Sequence, residues 1–203
     1  MPTPMARPSI VVRYGYTWSR TSSPITVWGS PSPEEPAMPS EEIESRDWTK
    51  QDISSLLAKL KDAKSEGQRS IVLGGVFGGR LSEGVDYAGG LLDTVICIGI
   101  QNPRPNLLQK SYGEYIKDKF GRGNFWRYAN SQPAINTILQ AMGRPIRAMG
   151  DRALIVLLDK RNIDRTYSVC YPPDIRMNQV SDSEGSGRFA KRFFSKVKRE
   201  ADI

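Results

Sequence analysis

Three short apolar runs constrain the fold of this chain more than any other feature of its sequence. They cover residues 71–77, 94–100 and 153–159 and consist almost wholly of apolar residues and glycine. Runs of this length without polar alternation are typical of strands buried on both faces of a parallel sheet. Helix-patterned segments lie between them. The chain is therefore predicted to adopt an α/β fold, a parallel sheet with helices on both faces.

Helices are predicted between and around these strands. Thr49 has the character of an N-cap, with Asp52 three residues later and one apolar stripe behind it: Ile53, Leu56, Leu57 and Leu60. A second helix is predicted over 107–120, with a core face made of Leu108, Tyr112, Tyr115 and Ile116. Another begins near Ser131 and should break at Pro145, since proline cannot continue a helix. A basic helix is predicted over about 187–198.

The first 40 residues differ in composition from the rest. They hold eight of the fourteen prolines, together with many serines. Such a segment does not favour regular structure, so residues 1–40 are predicted to be an irregular leader and residues 41–203 a single domain. Residues 10–18 have strand character and are the leader's one candidate for docking on the sheet. Docking is the less favoured outcome, because the proline-rich stretch that follows resembles an untethered linker.

Composition excludes several classes of function. The chain has no histidine, so it cannot form a Ser-His-Asp or Cys-His catalytic centre or a histidine-ligated zinc site. Its two cysteines, Cys97 and Cys170, cannot by themselves hold an iron–sulfur cluster. The formal net charge of +7 suits a polyanionic partner. No apolar run approaches the ~20 residues of a membrane span, and no secretory signal is recognisable, so a cytoplasmic, nucleoid-associated location is expected.

Two segments carry the chemistry. Residues 140–147 read QAMGRPIR, in which Gln140, Arg144 and Arg147 are spaced by four and three and would share one face of a helix. Arginine presents a fixed fork of donors that suits a phosphate. Residues 71–87 read IVLGGVFGGRLSEGVDY, a strand followed by a glycine-rich turn. Such a turn allows close approach of the backbone to a ligand.

Residues 71–87 and 140–147, in chain order, resemble motifs V and VI of the XPD/DinG family of superfamily 2 DNA helicases. The motif VI pattern of that superfamily is Q-x-x-G-R-x-x-R, and the family's motif V contains Ser-Glu-Gly-Val-Asp as residues 82–86 do here. The resemblance covers about residues 43–200. It implies the second RecA-like motor domain of an ATP-dependent DNA helicase, with single-stranded or forked DNA and a first motor domain, in cis or in trans, as partners.

The resemblance also implies roles for particular residues. Arg147 would be the arginine finger, and Arg144 its neighbour on the phosphate side. The other ATP-binding positions would be Gln140, Gly143, Glu83, Gly84 and Asp86. Arg80 and Ser82 would contact the DNA backbone. The alternative for the arginines is an ion pair with Asp151 or Asp86, and for Arg80 a solvated position in a loop.

Half of an ATP site is absent from the sequence. A P-loop needs G-x-x-x-x-G-K-[ST], and after Gly74 to Gly79 the chain has Arg80 and Leu81 instead. No acidic box for magnesium is recognisable either. We therefore expect ATP with Mg²⁺ to be shared with the first motor domain, and the isolated chain to be inactive. Two other functions remain open: a non-catalytic module that binds single-stranded nucleic acid, and a regulator that gives its arginines in trans to another ATPase.

Overall fold

A computed structural model describes residues 9–13, 40–66 and 71–201, with the backbone alone described at 9–13, 66 and 198–201. The helices are α1 (Lys50–Glu66), α2 (Leu107–Phe120), α3 (Gln132–Met142), α4 (Arg165–Ser168) and α5 (Ser183–Ala201). The strands are β1 (Ser9–Arg13), β2 (Ser40–Ile43), β3 (Ile71–Gly74), β4 (Thr94–Ile98), β5 (Leu154–Leu158) and β6 (Met177–Val180). The chain divides into two compact units, Tyr16–Gly75 and a larger one made of Met1–Gly15 and Val76–Ile203.

The smaller unit contains β2, α1 and β3. Its helix begins with the predicted cap: the Asp52 carboxylate accepts the backbone N–H of Thr49 at 2.6 Å, and the Asp52 N–H donates to the Thr49 hydroxyl at 3.3 Å. These reciprocal bonds satisfy donors that the first turn would otherwise leave unpaired. Leu56 and Leu60 are buried. The predicted helix and its apolar stripe are confirmed.

The larger unit is built on a four-stranded parallel sheet in the order β4-β5-β1-β6. Strands β4 and β5 fall within two of the predicted apolar runs. The third run does not join them: β3 pairs in parallel with β2, in a two-stranded sheet. The expectation that all three runs share one sheet was wrong, because an apolar run indicates burial but does not specify a partner.

Strand β1 lies between β5 and β6, so residues 9–13 dock in the interior of the sheet. This is the outcome that the sequence favoured less. The remainder of the predicted strand, residues 14–18, falls outside the described residues. Strand β6 was missed, since Met-Asn-Gln-Val is short and carries two polar residues.

The core of the larger unit lies between α3 and the strands β4 and β5. Ile135 and Ile138 of α3 are buried in the same cluster as Cys97 of β4 and Ile155 and Leu157 of β5. Gly143 follows the helix, which ends at Met142, and the next proline is fully buried. The predicted break at Pro145 is confirmed.

Helix α2 has the predicted bounds but buries a different face. Gly113 and Ile116 are buried, and Gln109 donates from Nε2 to the carbonyl of Ala129 at 2.5 Å. A Cβ at position 113 would collide with the ring of Phe125, so glycine is what lets that ring approach the helix. Apart from Ile116, the predicted core face was wrong: Leu108, Tyr112 and Tyr115 are exposed.

Candidate functional site

The glycine-rich segment forms a tight turn and one turn of π-helix. Gly78 has φ of 76°, in the left-handed region that favours glycine. A π-helical turn follows at Arg80–Gly84, with Leu81 buried beneath it. The hydroxyl of the buried Tyr87 donates to the Leu81 carbonyl at 3.1 Å. This bond anchors the turn from below, so its polar residues face outward.

The second motif begins on α3 and continues in the loop beyond it. Gln140 is on the last turn of the helix, whereas Arg144 and Arg147 follow its end at Met142. The prediction that the three side chains share one helical face was therefore wrong. The helix ends at Met142, three residues before Pro145, so only Gln140 lies on it. The loop is closed by Asp151, whose carboxylate accepts the backbone N–H groups of Arg147 and Ala148, both at 2.7 Å.

The two motifs meet through both arginines. Nε of Arg147 lies 3.2 Å from Oδ1 of Asp86, in a pair whose carboxylate side chain is 72% exposed. Nη1 of Arg144 points at the Val85 carbonyl oxygen at 3.5 Å, the outer limit of a hydrogen bond. The structure thus shows one of the two ion pairs that the sequence left open, Arg147 with Asp86. Exposed pairs of this kind contribute only about 0–1 kcal/mol, so the guanidinium can exchange partners at little cost.

Arg144 is more buried than Arg147. The side chain is half-buried, and its Nε atom is inaccessible and has no hydrogen-bond partner. A buried guanidinium donor without an acceptor is uncommon and unfavourable in a folded protein.

The other predicted residues lie around this pair. Gln140, Gly143, Glu83 and Gly84 are exposed, as is Arg80 at the start of the π-helical turn. The Ser82 hydroxyl donates to the carbonyl of Gly79 at 3.0 Å. Its donor is therefore used within the turn, and its oxygen lone pairs remain for a ligand.

Sequence reasoning missed two parts of this region. The Val85 carbonyl contacts Arg144 through its backbone, which no side-chain pattern could indicate. The second part is a polar network beyond β5, where Asp159 accepts from Arg161 at 2.6 Å and Arg161 donates to the Ile100 carbonyl at 3.2 Å. These bonds join the carboxyl ends of β4 and β5.

Charge holds this network together. Burial acts to raise the pKa of Asp159, but hydrogen bonds from the Arg161 side chain and backbone outweigh it and hold the pKa below its usual range. A depressed carboxyl pKa stabilises the fold at neutral pH, and that contribution is lost as pH falls through the folded-state pKa. Asn162 is buried beside it, and both polar atoms of its amide have partners: Nδ2 donates to the Asp159 carbonyl at 2.8 Å, and Oδ1 accepts from Tyr171 at 2.6 Å.

The described residues contain neither a metal-binding cluster nor a membrane-spanning helix. Within residues 40–66 and 71–197, no three histidine, cysteine, aspartate or glutamate side chains cluster as metal ligands would. In the same part of the chain, no helix combines the length and the apolar character needed to cross a bilayer.

The larger unit combines a parallel α/β fold with two arginines that face a glycine-rich turn. The family model described as "Helicase C-terminal domain" matches residues 32–176. The chain belongs to this family, in its XPD/DinG-like branch. The fold class and family predicted from the sequence are confirmed.

Two relatives show what fraction of each protein the similarity covers. The ATP-dependent DNA helicase XPD of Sulfolobus acidocaldarius is 30% identical over 122 residues, 59% of this chain and 20% of the relative. The ATP-dependent DNA helicase DinG of Photobacterium profundum is 35% identical over 112 residues, 55% of this chain and 16% of the relative. A solved XPD helicase structure, at 23% identity and a TM-score of 0.49, covers 86% of this chain and 29% of its own length. The chain therefore matches at most a third of these proteins.

Proposed function

We propose that this chain is the second motor domain of an ATP-dependent DNA helicase of the XPD/DinG type. The observation that carries the proposal is the meeting of the two motifs, in which Arg144 and Arg147 converge on Val85 and Asp86. The names of the two relatives, both ATP-dependent DNA helicases, supply the reaction class. The proposed partners are single-stranded or forked DNA and a first motor domain, in cis or in trans.

The chemistry proposed for the arginines is electrostatic. In phosphoryl transfer, negative charge spreads over the terminal phosphate oxygens, and a positioned guanidinium stabilises it. Arg147 is the proposed arginine finger, since its exposed pair with Asp86 is weak enough to be exchanged for a phosphate. Arg144 is proposed to hold a phosphate oxygen through its guanidinium group.

The remaining predicted residues surround these two. Gln140, Gly143, Glu83, Gly84 and Asp86 are proposed to contact the nucleotide, and Arg80 and Ser82 the DNA backbone. Magnesium would neutralise charge between the phosphates, and the described residues of this chain offer no cluster to hold it. We assign the metal and the P-loop contacts to the first motor domain.

The isolated chain is expected to show no ATP hydrolysis, with or without single-stranded DNA. The sequence contains no G-x-x-x-x-G-K-[ST] segment, so no lysine is placed to reach the terminal phosphates. The two arginines can stabilise the transition state only when ATP is already positioned, and the sequence contains no P-loop to position it. Turnover that survives purification and disappears in Arg147→Ala would contradict this expectation.

The decisive experiment is complementation. A separately produced first motor domain of an XPD-type helicase is mixed with this chain, and ATP hydrolysis is measured with and without single-stranded DNA. We expect DNA-stimulated hydrolysis that Arg147→Ala reduces by roughly 10³-fold or more. Arg147→Lys should not restore it, because lysine lacks the planar fork of donors. Arg176→Ala is the matched control, since Arg176 is an exposed arginine outside both motifs.

The other outcomes separate the alternatives. DNA binding without restored hydrolysis would favour a non-catalytic nucleic-acid-binding module. That second candidate has an observation in its favour, the solvent-facing aromatic rings of α2. Activation of an unrelated ATPase would instead favour a regulator acting in trans.

A further inference from the structure

Helix α2 turns an apolar face toward solvent. Leu108 is 78% exposed, and Tyr112 and Tyr115 follow it at helical spacings of four and three. Lys119 extends the same stripe by another turn. Exposed apolar faces of this extent commonly mark a surface that binds something. The packing of Phe125 against Gly113 maintains this orientation of the helix.

The far end of this face is an ordered group of rings and cations, which we call the aromatic–basic cluster: Tyr115, Lys119, Phe120, Arg127 and Tyr128. Nζ of Lys119 donates to the Tyr115 hydroxyl at 2.8 Å and lies 5.3 Å from the Tyr115 ring and 5.5 Å from the Phe120 ring. The rings of Phe120 and Tyr128 are 5.3 Å apart. Arg127 lies 5.7 Å from the Tyr128 ring.

Charge around the cluster is predominantly positive. Between residues 107 and 128 five basic residues face two acidic ones: Lys110, Lys117, Lys119, Arg122 and Arg127 against Glu114 and Asp118. Glu114 is already neutralised by Lys117 at 2.8 Å. The surface that remains offers ring faces beside cations. Bases stack on aromatic rings whatever their sequence, and phosphates pair with the neighbouring cations.

We infer that the aromatic–basic cluster binds single-stranded nucleic acid, with bases stacking on Tyr115 and Phe120 and the backbone phosphates paired with Lys119 and Arg127. Tyr115 and Phe120 are 51% and 45% exposed, so a large part of each residue is accessible to a ligand. Their placement is already ordered by the contacts with Lys119, which lowers the entropic cost of binding. This inference rests on the proposed function for its ligand, and it assigns a contact surface outside the two arginine-bearing motifs.

The test compares two probes by fluorescence anisotropy: a labelled oligothymidylate and an abasic oligodeoxynucleotide of the same length. The full chain carrying Tyr115→Ala with Phe120→Ala should bind the oligothymidylate about 30-fold more weakly, or worse, since two stacked bases are lost and each contributes about 1–3 kcal/mol. Its affinity for the abasic strand, which has phosphates but no bases, should not change. Tyr115→Phe loses the hydroxyl that accepts from Lys119 but keeps the stacking face, so it should bind more tightly than Tyr115→Ala.

Two further variants sharpen the assignment. Phe120→Leu keeps apolar area but loses the aromatic face, so it should weaken oligothymidylate binding as alanine does. Lys119→Gln should weaken binding of both probes and reduce the salt dependence by about one phosphate contact. Lys61→Gln, at an exposed lysine of α1, is the matched charge control and should have no effect. Circular dichroism checks that each variant is folded, as expected for exposed positions.

Some results would overturn the inference. Unchanged oligothymidylate binding in the double alanine variant would do so, as would an equal loss on the abasic strand. Full binding by Phe120→Leu would indicate an apolar protein-docking surface instead. If the ring variants bind normally while Arg80→Ala binds weakly, this inference fails and the proposed function stands. If the unaltered chain binds neither probe at low salt, the nucleic-acid function itself fails.

Discussion

At the scale of single residues, burial decides which groups are chemically available. The exposed Arg147 of the candidate site contrasts with the two cysteines, which both lie in the core cluster of the larger unit. Burial raises the pKa of Cys97 to about 12, and it also raises the pKa of Cys170. Cys97 is buried among apolar side chains and therefore packs as a small hydrophobic residue.

Cys97 is therefore expected to resist a thiol reagent in the native protein. Only the thiolate reacts, and at pH 8 a pKa near 12 leaves almost none. A raised thiol pKa means that the fold favours the neutral form. That contribution is present below the ordinary pKa of ~8.5 and is lost as pH rises toward 12. Native Cys170→Ala protein, with Cys97 as its single thiol, should react slowly with Ellman's reagent and quickly in denaturant. Fast native reaction would contradict the assignment.

Tyr171→Phe is expected to lower the free energy of unfolding by about 1–3 kcal/mol. The change removes the hydroxyl that donates to Oδ1 of the buried Asn162 at 2.6 Å, and it leaves that oxygen without a partner. Urea unfolding measures the loss. Tyr112→Phe is the matched control, because that side chain is exposed on α2 and should change stability by less than about 0.5 kcal/mol. Equal effects of the two substitutions would show that the buried bond contributes nothing.

At the scale of elements, the glycine inside α2 determines which side of the helix is buried. Glycine is normally unfavourable in a helix interior, by roughly 0.5–1 kcal/mol relative to alanine. Here the absent Cβ admits the Phe125 ring and turns Gln109, Gly113 and Ile116 inward. The face with more apolar residues consequently points outward, and it carries part of the aromatic–basic cluster.

Two glycine substitutions should therefore have opposite signs. Gly113→Ala is expected to destabilise the protein by about 1–3 kcal/mol, since the new methyl group would overlap the Phe125 ring. Gly187→Ala in α5 meets no neighbouring atom and should stabilise by up to about 1 kcal/mol through helix propensity alone. Thermal unfolding of both variants checks the pair. Stabilisation by Gly113→Ala would mean that the ring moves aside without cost.

At the scale of the whole molecule, the four-stranded sheet depends on a strand far away in sequence. Strand β1 occupies an interior position and hydrogen-bonds to β5 on one side and β6 on the other. Without it, both neighbours would expose unpaired backbone groups, and open strand edges of this kind promote aggregation.

Removing residues 1–15 is thus expected to cause loss of cooperative unfolding or aggregation, whereas removing residues 1–8 should leave the transition intact. The two truncations differ by the segment that contains β1, which begins at Ser9. Thermal unfolding followed by circular dichroism, together with light scattering, distinguishes them. A sharp and unchanged transition in a monomeric chain without residues 1–15 would show that the sheet does not need this strand.

Net charge leads to a prediction for the chain as a whole. With a formal charge of +7, binding to single-stranded DNA should be weak and should fall steeply with salt, as phosphate-bound counterions are released. The exposed cations of α5 are expected to contribute: Arg188, Lys191, Arg192 and Lys196. Replacing all four with glutamine should flatten the plot of log affinity against log salt. An affinity that is independent of salt would contradict this prediction.

The sequence alone determined the features that depend on neighbouring residues. It located β3, β4 and β5 by their apolar runs, α1 by its cap and the end of α3 by Pro145, and it identified the family from two ordered motifs. Hydrophobic period, capping and proline act over a few residues, so a local pattern is sufficient to show them. The roles given to Arg144 and Arg147 come from the same motifs and stay predictions.

Only the tertiary structure decided how these pieces are paired. It placed β3 beside β2, inserted β1 into the sheet, turned α2 about Gly113 and brought Arg147 to Asp86. Each result depends on contact between residues distant in the chain. An apolar or charged pattern states that a residue will be buried or paired, but many partners satisfy the same pattern. The choice among them is made by the packing of the whole domain.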